Sequence, residues 1–218
     1  MNVVKTNGII LDRTNFQEAD RILTVLTPDQ GKLRLIAKGV RKERSKMAGG
    51  VELFSVNELS FIRGRGEIGT LVSSRLVTHF GTIVKDINRT MYGYDFLQLL
   101  NKITEDNAEA EYFNLAEKVL SALDNQELEL KLVTLWADIW LLNATGHAPN
   151  LSTDTDGNKL NESKKYEFEL SQMGFTPKPS GQYKSGHIKL LRVLTKTEIA
   201  KLAVLEGTGD YLEACQHL

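Results

Sequence analysis

The chain has 218 residues, 41% hydrophobic and 25% charged, with a net charge of −1, four histidines and a single cysteine. That length suits one large domain or two small ones with a real core. No apolar run reaches the ~18 residues of a membrane span, and the first ten residues hold one Lys and no signal-peptide core. Cys215 alone makes no internal disulfide. These features point to a cytoplasmic protein with no membrane partner.

The first eighty residues read as β. Five runs, Val3–Arg13, Arg21–Thr27, Lys32–Lys38, Val51–Arg63 and Glu67–Phe80, are rich in Ile, Val, Leu, Thr and Phe. Asn, Gly, Pro and Asp punctuate them, and Thr27-Pro28-Asp29-Gln30-Gly31 is a turn sequence. In the third run Leu33, Leu35 and Ala37 alternate with Lys32, Arg34 and Lys38, with Ile36 among the latter. The fourth run changes phase near Asn57, which predicts a bulge. In the fifth, Ile68, Val72, Leu76 and Phe80 share a face. Five short antiparallel strands in this length fit a closed barrel of the OB type.

The apolar period then lengthens. Asp86–Thr104 predicts a helix with Ile87, Met91, Tyr94, Leu97, Leu100 and Ile103 on one face. Glu109–Leu123 repeats the pattern through Tyr112, Phe113, Ala116, Val119, Leu120 and Leu123. Glu127–Asn143 is apolar almost all round, as a buried helix is, and Gly146 with Pro149 beyond is its stop. Leu151–Tyr183 is polar and punctuated, an ordered loop or small β insertion. Thr195–Leu205 and Asp210–Leu218 are helical in pattern. The fold class is α+β, with an N-terminal OB-fold barrel over 1–80 and a helical domain over 81–218. The helical domain carries a small irregular insertion at about 147–185.

The charge is unevenly spread. Residues 1–80 hold 13 Lys/Arg against 8 Asp/Glu, a net +5, whereas residues 81–145 hold 5 against 11, a net −6. Lys38–Lys46 concentrates five basic residues and one acidic in nine positions between two strands. A basic loop there is suited to a phosphate backbone, and the acidic helices to protein contacts. The candidate nucleic-acid-binding set is Lys32, Arg34 and Lys38 on one strand face, Arg41, Lys42, Arg44 and Lys46 in the loop, and Arg63 and Arg65 at the next hairpin. Phe16, Phe54 and Phe61 are core candidates that could also stack bases.

Other motifs fail on context. Gly64-Arg-Gly-Glu-Ile-Gly69 matches a dinucleotide fingerprint, but strand-patterned residues follow it where a helix is needed, so it reads as a hairpin. Asp154-Thr-Asp156-Gly157 starts like a calcium loop, yet Lys159 and Lys165 stand where Gly and Glu are required. Scattered histidines and one cysteine offer no metal set, no phosphate loop of the Gly-Lys-Ser/Thr kind occurs, and no catalytic residues are singled out. Trp136 and Trp140 read as core.

The order of pieces resembles a known family. Gly8-Ile-Ile-Leu11, Phe16–Thr27, Gly31–Arg41, Glu52-Leu-Phe54 and Arg63-Gly-Arg-Gly66 resemble the bacterial recombination mediators of the RecO family, and Thr145–Leu151 is similar to its entry into a zinc module. The cysteine pairs of many members are absent: Asp154-Thr-Asp-Gly157 and Met173–Pro177 stand there, so no cofactor or metal is carried over. The resemblance implies a non-enzymatic DNA repair and recombination protein. It would bind single- and double-stranded DNA, anneal complementary strands, and act with RecR to load RecA onto DNA coated by single-strand-binding protein. It also implies binding of that protein's tail and a cytoplasmic, nucleoid-associated location in a bacterium. An RNA-binding OB protein and a non-enzymatic adaptor are the alternatives.

Overall fold

The structure, a computed structural model, describes residues 2–45, 47–64, 66–204 and 209–216. It divides into two compact units, Met1–Asn125 and Gln126–Leu218. Five strands, β1 (Val3–Phe16), β2 (Asp20–Thr27), β3 (Gly31–Ala37), β4 (Ser55–Ile62) and β5 (Ile68–His79), close into a barrel in the order β1-β2-β3-β5-β4. All neighbours are antiparallel except β3 and β5, which pair in parallel. The sequence pattern had suggested a wholly antiparallel sheet. Closing a five-stranded barrel of this order brings β3 beside β5 in the same direction, so one parallel seam replaces an open edge.

Alternation fixes the interior. Ile10, Leu23, Val25, Leu35, Ala37, Leu59, Phe61 and Leu71 fill the barrel, with Val40 and Val51 added from the loop between β3 and β4. The phase change expected near Asn57 is a register shift between Val56 and Asn57, with a second at Ser60/Phe61. Strand β4 begins only at Ser55, because Phe54 takes a left-handed backbone, φ +56°. On β5, Ile68, Val72 and Leu76 face outward and are exposed, while Leu71 is the residue that enters the core.

Two helices, α1 (Ile87–Ile103) and α2 (Ala110–Asp124), pack on the outside of β1 and β2 and bury Ile9, Leu11 and Leu26. Helix α1 starts where the sequence indicated: Asp86 accepts N–H bonds from Asn88 at 2.8 Å and Arg89 at 3.0 Å. Its buried face is only partly the one expected, which Leu97 and Leu100 keep and the first half of the helix does not. Ile87 and Met91 are 69% and 58% exposed and Tyr94 is also exposed, whereas Arg89, Gly93, Phe96, Leu97 and Leu100 are buried. Gly93 faces Phe54, whose ring leaves only 2.9 Å for a Cβ there. Arg89 Nη1 donates to the carbonyls of Leu123 and Asn125, both at 3.0 Å, and so joins α1 to the end of α2. Contact, not apolarity, selected the face.

The second unit is built on α3 (Leu130–Ala144), which buries Leu132, Val133, Leu135, Trp136, Ala137, Ile139 and Leu141. It ends before Gly146, φ +75°. The indole N–H groups of Trp136 and Trp140 donate to the carbonyls of Thr197 and Leu194 at 2.9 and 3.1 Å, as core tryptophans do. The insertion is a two-stranded sheet, β6 (Tyr166–Glu169) with β7 (Gly174–Pro177). Tyr166 and Phe175 are fully buried there, whereas Leu170 is 71% exposed. Next come α4 (Ser185–Leu194), which the sequence pattern did not mark, and α5 (Gly209–Cys215). The helix expected over Thr195–Leu205 is instead a 3-10 turn over Ile199–Val204, with Thr195 at the end of α4. The expected end of the last helix, His217 and Leu218, lies outside the described residues.

Ring contacts run through this unit. Phe168–Phe175, Phe175–Tyr183, Tyr183–His187 and His187–Tyr211 have centroids 5.2, 5.6, 5.8 and 5.1 Å apart, all edge-on. Burial holds the His187 imidazole below its ordinary value of 6.5, and its Nδ1 accepts the Lys184 N–H at 2.9 Å. The unfolded chain therefore binds more protons just below pH 6.5. The stabilisation is complete above that value and is lost as pH falls through the lowered folded one. Thermal melts between about pH 7 and pH 5 should show this unit's tyrosine signal weakening earlier at the lower pH, and His187→Gln should flatten the trend.

Candidate nucleic-acid interface

The basic residues of the barrel fall into two groups along β3. Arg34 lies opposite Thr24 of β2 and Ile68 of β5, and Lys38 follows the strand four residues on, about 13 Å away at strand rise. Beyond it the loop is a folded element. Gly39, φ +64°, donates its N–H to Asp20 Oδ1 at 2.7 Å, Lys42 N–H bonds Gly39 O at 3.1 Å, and Ser45 N–H bonds Lys42 O at 2.9 Å. Arg41 N–H donates to Ala19 O at 2.9 Å and its guanidinium to Glu18 O at 3.3 Å. The loop is thus pinned to the β1–β2 turn and anchored by Val40 in the core. Lys38, Arg41, Lys42 and Arg44 are exposed.

The other group surrounds a polar cavity of about 590 Å³ lined by Lys32, Arg34, Arg63, Glu67 and Asp106 among others. Arg63 reaches it from the β4–β5 loop and donates to Gln30 Oε1 at 2.6 Å. β4 and β5 pair antiparallel on either side of Gly64 and Gly66, as expected for a hairpin, and among the described residues β5, not a helix, follows Gly66. Lys32 is placed differently from its neighbours. Its half-buried ammonium donates to the carbonyls of Asn101, at 2.9 Å, and Thr104, at the last turn of α1. A cation there satisfies free helix carbonyls and the negative end of the helix dipole. Lys46 and Arg65 lie outside the described residues.

Pairing separates these cations from the arginines of β1, β2 and β5. Arg13 and Arg21 share Glu52, the latter at 3.6 Å, and Arg75 pairs with Glu58 at 3.5 Å. Among the described residues, Arg34, Lys38, Arg41, Lys42, Arg44 and Arg63 have no carboxylate within 4.0 Å. These unneutralised charges make the stronger field. Of the aromatic candidates, Phe61 is in the barrel core and Phe54 is buried, 5.0 Å from Tyr94 centroid to centroid, while Phe16 at the end of β1 is exposed. The cavity's polar wall is not legible in the chain order, because Glu67, Asn101 and Asp106 come from the β4–β5 loop, α1 and the connection after α1.

A closed five-stranded barrel in this strand order is an OB-like barrel, here with unpaired cations on one strand and its loop. The family models for the N-terminal and C-terminal parts of recombination protein O match residues 1–80 and 84–217. The chain belongs to the RecO family. It is 36% identical over 148 residues to the DNA repair protein RecO of Dehalococcoides mccartyi strain 195, covering 67% of this chain and 58% of that one. It is 30% identical over 157 residues to the protein of that name from Acetivibrio thermocellus, covering 70% and 61%. The matched segment thus spans about three fifths of these relatives.

The zinc module that the family resemblance brings to mind does not fit these residues. Asp154, 3% exposed, spends Oδ1 on the N–H groups of Asp156 and Asn158, at 3.1 and 2.8 Å, closing a turn with Gly157 at φ +83°. Its Oδ2 has no partner, but one hard oxygen is not a tetrahedral set. Among the described residues no three His, Cys, Asp or Glu are grouped to hold a metal. Cys215 is buried, which pushes its thiol up to about 12, so it supplies no thiolate. Phe175 and Tyr183 fill the space between the insertion and α4.

Two outcomes are expected. Lys32→Ala should cost about 1–3 kcal/mol in urea unfolding by freeing two helix carbonyls, whereas Arg34→Ala should stay within about 0.5 kcal/mol. Elemental analysis should find no stoichiometric zinc, and a chelator should leave the melting temperature unchanged.

Proposed function

We propose that this protein is a DNA repair and recombination mediator that works by binding, not by catalysis. The observation that carries the reading is the run of unpaired cations, Arg34, Lys38, Arg41, Lys42 and Arg44, on one strand and its pinned loop. Point charges on a fixed loop neutralise phosphates without reading bases, so both single- and double-stranded DNA are substrates. Neutralisation also lowers the repulsion between complementary strands, which is the physical requirement of annealing. Lys46, Arg63 and Arg65 belong to the same set by sequence; Lys32 contributes through the helix it holds.

The names of the relatives support repair as the setting. The partners that follow from the family reading are RecR, the tail of single-strand-binding protein and, indirectly, RecA. The acidic stretch 81–145 is the part suited to such contacts. The location is cytoplasmic and nucleoid-associated. Among the described residues no helix is long and apolar enough to cross a membrane.

Replacing Arg41, Lys42, Arg44 and Lys46 with Ala should weaken single-strand binding and flatten the plot of log affinity against log salt by about 0.7 per lost contact. Unchanged affinity and slope would remove the loop as the binding element. Preference for RNA over single-stranded DNA in competition would favour the RNA-binding alternative.

A further inference from the structure

Outside the barrel, residues 159–192 hold seven Lys/Arg against three Glu, inside a segment, 146–218, whose nine Lys/Arg and nine Asp/Glu cancel. Part of this positive charge is gathered at the open end of the β6–β7 ribbon. The ladder's first pair is Tyr166 with Pro177, and one step further Lys178 N–H donates to Lys165 O at 3.0 Å. Two lysines therefore stand opposite each other across a narrow ribbon, an arrangement that destabilises it. Lys164 is next in the chain, held in a turn by its N–H to Asn161 O at 3.3 Å.

Nearby carboxylates cancel only part of this charge. Glu167 takes Lys178 at 3.3 Å, and Glu162 is held by Lys189 instead. Among the described residues, Lys164 and Lys165 have no carboxylate within 4.0 Å, and all three lysines are exposed. With Ser163, Pro177 and Pro179 they line a concave site of about 430 Å³. The proline rings are rigid walls. The site has ammonium point charges and no arginine fork, and the N–H groups of Lys164 and Lys178 are already donated. Such a site does not fix one phosphate in one geometry. It tolerates a string of charges, as a sugar–phosphate backbone presents, with apolar walls against the sugars.

We propose that Lys164, Lys165 and Lys178 form a second strand-binding site, which holds the phosphodiester backbone of a single-stranded nucleic acid while the barrel holds another. The proposal rests on the annealing reading, since annealing brings two strands to one protein, and it gives the second unit a direct role.

The test uses the full chain with Lys164→Ala and Lys165→Ala together, leaving the Lys178–Glu167 pair intact, and the same pair of positions as Arg. Binding of labelled oligo-dT and the annealing rate of complementary oligonucleotides are followed against salt, with melting temperature as the folding control. The Ala variant should keep its melting temperature and slow annealing. Each lost contact weakens second-strand capture roughly fivefold at 0.1 M salt, so the loss is roughly 25-fold and the salt slope of annealing falls by about 1.4. The Arg variant should anneal like the parent. Normal annealing by the Ala variant, alongside a defect in the Arg41, Lys42, Arg44 and Lys46 variant, overturns this site and leaves the annealing reading standing. A parent chain that neither binds nor anneals overturns both. Loss of binding to polyglutamate with annealing intact also overturns it, in favour of an acidic peptide.

Discussion

Three residue pairs close the barrel, and the placement of the basic face depends on them. Arg34, Leu35 and Ile36 of β3 run alongside Ile68, Gly69 and Thr70 of β5. The approach is close: a Cβ on Gly69 would stand 2.9 Å from Leu35 Cδ2 and 3.1 Å from the Ile62 carbonyl. Glycine is there because the strands meet at that point. With this register Leu35 and Ala37 enter the core and Arg34 must face out. Side chains alternate every residue, so a slip of one would bury the arginine and expose the leucine, a cost no surface charge could offset. The sign of the outer surface is thus set by the apolar packing inside.

The same logic explains what the sequence disclosed. Strands and the first three helices could be read because their period, caps and stops are local: Asp86 before α1, Gly146 after α3, the Thr27–Gly31 turn. What escaped depends on partners distant in the chain. The face of α1 was set by the missing side chain of Gly93 and by Arg89 reaching carbonyls at the end of α2. The N-cap position of α4 is Lys184, not a Ser, Thr, Asp or Asn; His187 accepts the Lys184 N–H in the role of a cap. Lys32 looked equivalent to Arg34 because both alternate with leucine, and only the position of the Asn101 and Thr104 carbonyls distinguishes them. The basic loop itself was legible, as charge density on a connector is a local property. Its rigidity was not, since that comes from Asp20 and Ala19 of another hairpin.

Cations in this chain thus serve two purposes. Arg89 and Lys32 are inside the architecture, each taking two backbone carbonyls at a helix end, where an uncharged replacement would leave acceptors unmet. Arg34, Lys38, Lys42, Arg44, Lys164 and Lys165 make no such bond, and an exposed ion pair would have stabilised any of them little. Their lack of carboxylate neighbours is no loss to folding, and it preserves the field outside.

The aromatic ladder of the second unit bears on how such charges are presented. A two-stranded ribbon is marginal by itself, and lysines facing each other make it more so. Phe168 and Phe175 belong to the ribbon, Tyr183 to the segment that follows, His187 to α4 and Tyr211 to α5, and each ring meets the next edge-on. Tyr166 and Tyr183 also exchange backbone bonds, at 2.8 and 3.0 Å, one residue from Lys165. Gly186 keeps the face of α4 low enough for the Tyr211 ring to lie on it. The ribbon therefore takes its stability from helices it does not belong to. Rings in this space do what bound metal does in a module that has cysteines: they cross-link short segments with too little core of their own. Ring contacts constrain the buried ends of the segments and leave the exposed end free to carry charge, which is where Lys164, Lys165 and Lys178 stand.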